Sequence, residues 1–141
     1  MINVKKFQQY TGIKLYLDDI YPDVETQLAT VKQDGINIQY INNPCLKVQL
    51  VAVKQNNTAI KFIKTPCLEV QLAAVKTNGH TINYINNPCL EVQLAAVEQN
   101  YYAIQGIHDP HEEVQLYSVQ KYSRTLECIK NPCLQVQLAA V

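Results

Sequence analysis

The sequence predicts an all-α protein, an α-solenoid in which short helices follow one another in a stack, and three observations predict it. The six prolines, Pro22, Pro44, Pro66, Pro88, Pro110 and Pro132, stand 22 residues apart throughout, and a fixed period of this size marks a repeat array. The segment after each proline, LEVQLAAV in its clearest form (residues 68–75 and 90–97), is rich in strong helix formers, with apolar residues at unit positions 3, 7 and 10. A second apolar pair recurs at three-residue spacing, Ile38/Ile41, Ile60/Ile63, Ile82/Ile85, Ile104/Ile107 and Leu126/Ile129.

Taken in order, residues 1–21 (Val4, Phe7, Ile13, Leu15, Leu17, Ile20) read as a degenerate N-terminal capping unit with one residue inserted before Pro22. Residues 22–141 read as one continuous repeat domain of six helix-turn-helix units starting at 22, 44, 66, 88, 110 and 132, the last truncated after its first helix. Asn43, Thr65, Asn87, Asp109 and Asn131 precede the prolines as expected N-caps, with proline at the first helical position. Glu25, Glu69, Glu91 and Glu113 stand near the helix starts and Lys32, Lys54 and Lys76 near the ends, as the helix dipole favours. Asp34-Gly35, Asn56-Asn57 and Asn78-Gly79 are expected to stop the helix as left-handed or turn residues. A second helix of about seven or eight residues follows. Brief alternation in VQL and INIQYI also fits a strand, but the Asn-Pro starts and the alanine content favour helix. A helix of roughly eleven residues is marginal in water, so each unit has to bury its stripe against the next. At about 8–10 Å per stacked pair, six units make a curved right-handed superhelix about 50 Å long.

The string NPCLEVQLAAVEQN (87–100) and its relatives through residues 22–141 resemble a family of short helical repeats of unknown function found in bacterial, phage and giant-virus proteins. HEAT-type and leucine-rich-variant solenoids are more distant analogies. The resemblance carries no catalytic or binding residues. It implies a protein-binding scaffold and, from the phage and viral members, a protein that binds and inhibits or sequesters a host protein in the host cytoplasm.

Composition sets the remaining bounds. Twelve acidic and twelve basic residues give a net charge of zero, which speaks against nucleic acid as the partner. No apolar run approaches the roughly 18 residues of a membrane span, and MINVKKFQQYTG is not a signal peptide. Five cysteines without a secretion signal read as reduced thiols in the cytoplasm. Four of them, Cys45, Cys67, Cys89 and Cys133, follow a proline, with His111 in the same place in unit five. Stacking spaces that column about 10 Å apart, too far for a shared metal or a disulfide. No metal or other cofactor is expected, and the thiols read as small apolar contacts, Cys128 as core filler.

Gln27, Gln49, Gln71, Gln93, Gln115 and Gln137 occupy one position in all six units. Beside an apolar stripe an amide needs partners, so they are read as a structural ladder bonding neighbouring units or inter-helix backbone. A polar row on a binding face is the rival reading. The candidate protein-binding residues are Tyr101, Tyr102, His108, Glu112, Glu113, Tyr117 and Tyr122, because accessible tyrosine is enriched at interfaces. Residues 77–120 hold five acids and no Lys or Arg, whereas 24–76 hold six lysines and three acids; such asymmetry steers partners or aligns copies. At the C-terminus Leu134, Val136, Leu138 and Val141 form an expected homodimer interface, since nothing polar covers the last helix. Two serines, three histidines and no phosphate-binding loop leave no nucleophile with an oriented base, so no enzyme is expected. The main alternative is a self-assembling structural rod.

Overall fold

A computed structural model describes residues 23–141; the capping unit expected over 1–21 lies outside the described residues. Among the latter the chain is all-helical, without strands. Six α-helices, α1 (Val24–Gln33), α2 (Leu46–Gln55), α3 (Leu68–Thr77), α4 (Leu90–Gln99), α5 (Glu112–Lys121) and α6 (Leu134–Ala139), alternate with five 3-10 helices. These are η1 (Gly35–Tyr40), η2 (Asn57–Phe62), η3 (Gly79–Tyr84), η4 (Tyr101–Gly106) and η5 (Ser123–Cys128). The α-helices pack side by side in chain order, the 3-10 helices do the same, and each of α2 to α5 rests on its own 3-10 helix and the preceding one.

The helix start differs from the expectation. Proline is not the first helical residue: α2 begins at Leu46, its N-cap is Cys45, and the same holds at Cys67, Cys89, His111 and Cys133. The residue before a proline is pushed away from the α region; Asn43 and Asn87 instead take left-handed conformations, with φ of 46° and 50°. Asp109 is likewise no N-cap. The Cys and His caps make no side-chain cap bond. Only α1 has a side-chain cap, Asp23, whose carboxylate accepts from the Thr26 N–H at 2.8 Å and its hydroxyl at 2.7 Å. Those bonds hold the Asp23 carboxyl below its ordinary pKa.

The recurring glutamine takes up a related task. Gln49, Gln71, Gln93, Gln115 and Gln137 each donate from Nε2 to the carbonyl of their own unit's proline, at 2.8–2.9 Å. That carbonyl lies one residue outside the helix and has no intrahelical donor. Gln93 also reaches the next unit, its Oε1 accepting from the His111 N–H at 3.0 Å. Replacing Gln71 by leucine removes the Nε2 donor to the Pro66 carbonyl and is expected to cost roughly 1 kcal/mol, read as a lower melting temperature. An unchanged melting temperature would contradict that structural role.

The α-to-3-10 junctions are extended rather than left-handed. Asp34, Asn56, Asn78 and Asn100 close the α-helix with φ near −150°. Their side chains accept from the N–H two residues on, at 3.0–3.1 Å, and so start the 3-10 helix. The second helix is therefore six residues of 3-10. With three residues per turn, side chains three apart eclipse, which puts Ile38 over Ile41 and Ile82 over Ile85 on one face. All four are buried.

Of the expected stripe at positions 3, 7 and 10, position 10 is buried (Val31, Val53, Val75, Val97 and Val119) and position 7 is buried or half-buried in units one to five, but position 3 is replaced by positions 5 and 9. Val48, Val70, Val92, Val114 and Val136 at position 5 are fully buried, as are Ala52, Ala74 and Ala96 at position 9, while Leu46 and Leu68 at position 3 are 44% exposed. A second period of 44 residues overlies the first. Gly35 and Gly79 leave no room for a Cβ against the carbonyl oxygens of Ala52 and Ala96. Their N–H groups donate to Gln55 and Gln99 Oε1 at 2.5 and 2.6 Å. Units one and two, and units three and four, are thus clipped together by a bond that the equivalent Thr77 and Lys121 do not make.

Candidate functional site

Of the seven candidate binding residues, the structure brings three into ring contact, Tyr101, Tyr102 and Tyr122. Tyr101 and Tyr102 open η4, and Tyr122 caps η5. Tyr122 occupies the position of the capping Asn or Asp and makes no side-chain cap bond. Its ring instead stacks on Tyr101, with centroids 3.7 Å apart and planes 23° apart. Tyr102 tilts against Tyr101 at 4.5 Å and 46°. Tyr101 is half-buried between rings that are 37% (Tyr102) and 51% (Tyr122) exposed. Desolvation, followed by the neighbouring Tyr122 and Tyr102 hydroxyls, raises the Tyr101 pKa above the ordinary phenol value. Tyr117 is half-buried against the core, with the Lys121 ammonium 5.7 Å from its ring centroid.

His108, Glu112 and Glu113 are exposed at the opposite end of α5. Ten helical residues at 1.5 Å each put about 15 Å between them and Tyr122, so they are no part of the tyrosine cluster. Glu112 accepts a hydrogen bond from the Cys133 thiol at 3.3 Å.

A feature without a counterpart in the sequence reading lies at that same end. The connections 39–44 and 62–65 form the walls of a groove of about 530 Å3, with Gln49 lining it. Matching positions 44 residues on (Asn83, 85–88, Gln93 and 106–109), together with His111, line a second groove of about 700 Å3. In the second, Gly106 replaces Phe62, and the Asn83 side chain fills the space its Cβ would need. The signal in the sequence is the doublet Asn42-Asn43/Asn86-Asn87, repeated at 44 rather than 22 residues.

Cys45, Cys67, Cys89 and Cys133 are exposed, which corrects the expectation of small apolar contacts; Cys128 is half-buried against the core. Among the described residues no group of three His, Cys, Asp or Glu side chains converges to hold a metal ion. At the C-terminal end Leu134 and Leu138 are 69% and 66% exposed, and Val141 is fully exposed. Val136 is not part of that surface: it is completely buried within the chain. No family model, no curated protein and no solved structure matches the chain.

Proposed function

We propose that the chain is a non-catalytic protein-binding scaffold, an α-solenoid of 22-residue units in a curved right-handed superhelix, whose fourth and fifth units grip a partner. The observation that carries this reading is the Tyr101–Tyr122 stack with Tyr102 beside it. Aromatic rings supply large contact area at low entropic cost when they are held before the partner arrives, and here two successive units hold each other's rings on the surface. On the resemblance to repeats of phage and viral proteins, the partner is a host protein that the chain sequesters in the cytoplasm. No described helix is long and apolar enough to cross a membrane.

The test is capture of partners from host lysate by the parent protein and by the Tyr101→Ala/Tyr122→Ala variant, with helicity checked for both. The parent is expected to retain partners that the variant loses; a variant that keeps every one of them contradicts the tyrosine site. The exposed Leu134, Leu138 and Val141 favour a second reading, self-assembly through the last helix. That reading gains if neither protein retains anything and both elute as oligomers.

A further inference from the structure

From the groove between residues 39–44 and 62–65 we infer a second binding site, one that takes an extended acidic peptide segment of the partner. The inference rests on the protein-binding reading but on different residues. Each wall supplies one aromatic residue, Tyr40 from the first connection and Phe62 from the second, the latter 36% exposed, which suits an apolar side chain. The rim carries Asn43, Lys64 and Thr65, all exposed. Asn43 stands on a left-handed backbone, and its amide offers a donor and an acceptor to a passing peptide group.

Charge selects the occupant. Lys61 lies beside the groove with its ammonium 5.3 Å from the Phe62 centroid and 5.6 Å from that of Tyr84. Neither Lys61 nor Lys64 has a carboxylate partner among the described residues. The surrounding segment 24–76 has six lysines against three acids, a field that favours an acidic chain. Single-stranded nucleic acid is the less fitting polyanion, because its affinity comes from neutralising many phosphates and only two lysines stand at this groove.

The protein contains its own contrast. The second groove has the same backbone plan, but His108 stands in place of Lys64, Asp109 in place of Thr65 and Gly106 in place of Phe62. An acidic, apolar-anchored segment therefore has its ring and its cation in the first groove and neither in the second.

The experiment is fluorescence anisotropy with the full chain and a labelled peptide of alternating glutamate and leucine, about twelve residues and so roughly 40 Å when extended. Its lysine–leucine counterpart and an oligothymidylate of similar length serve as competing probes. The glutamate–leucine peptide is expected to bind saturably and to weaken with salt. Lys64→Glu is expected to weaken it about tenfold or more, with His108→Glu leaving it unchanged. The site is overturned if the peptide does not bind, if Lys64→Glu binds as the parent does, if His108→Glu weakens binding as much, or if the lysine–leucine peptide or oligothymidylate binds more tightly. Such a failure leaves partner capture through Tyr101 and Tyr122 standing, since that is read with other variants at the other end of the α layer.

Discussion

Replacing Ile82 by alanine is expected to cost about 4 kcal/mol, roughly 12–16 °C of melting temperature for a chain of this size. Ile82 is 1% exposed and occupies the face of η3 that the packed α-helices cover. Ile38, Ile60 and Ile104 fill the same position in the neighbouring units. A six-residue 3-10 helix has little stability of its own, so the isoleucine is what ties it to the α layer. Truncation leaves a cavity where η3 packs against α3 of its own unit and α4 of the next, so the loss weakens the contact between units as well as within one. The paired control is Leu68→Ala. Leu68 looks equally apolar in the sequence, yet at 44% exposure it is expected to change stability several-fold less. Thermal unfolding followed by circular dichroism reads both, and equal losses would contradict the buried stripe described above.

Gly79→Ala is expected to cost about 3 kcal/mol, the sum of overpacking and the strained or broken Gly79–Gln99 bond. The reason is space, not backbone freedom. Gly79 does not adopt a left-handed φ, but an added Cβ would fall on the Ala96 carbonyl oxygen, 3.1 Å from Gln99 Oε1 and 3.3 Å from the Ala103 Cβ. Backbone atoms cannot step aside as a side-chain tip can. Gly79→Asn separates the two explanations, since asparagine tolerates the left-handed region. If the glycine were there for a left-handed turn, asparagine would be nearly neutral; the close approach predicts a loss at least as large as for alanine. Asn57 and Tyr101 show that side chains are accepted at this position in units two and four, where no such clip is made.

The period, the helical class and the alternation of two helical segments were legible in the sequence because proline and the Val-Gln-Leu core repeat in register. The type of the second helix was not. Its signal was present in Gly35-Ile38-Ile41 and Gly79-Ile82-Ile85, a strict three-residue spacing that a helix of 3.6 residues per turn does not keep. The true α start was obscured because Asn-Pro is a plausible cap pair on propensity alone; the left-handed turn at Asn43 and Asn87 depends on how successive units meet. For the same reason the exposed Leu46 and the buried Val48 could not be told apart, since both are apolar and only the stack decides which faces inward. The tyrosine cluster was legible in part. Tyr101, Tyr102 and Tyr122 do meet, while His108, Glu112 and Glu113, close in sequence, sit at the far end of α5.

The central claim, that the tyrosine cluster is a surface for another protein, is tested most directly by photo-cross-linking from position 102. Tyr102 is exposed and lies outside the Tyr101–Tyr122 stack, so a photoreactive aromatic residue there leaves the stack in place. Irradiated in host lysate, the protein is expected to give one discrete adduct with a different protein, lost when Tyr101 and Tyr122 are both alanine. Adducts formed only with a second copy of the chain, or no adduct at all, would contradict it.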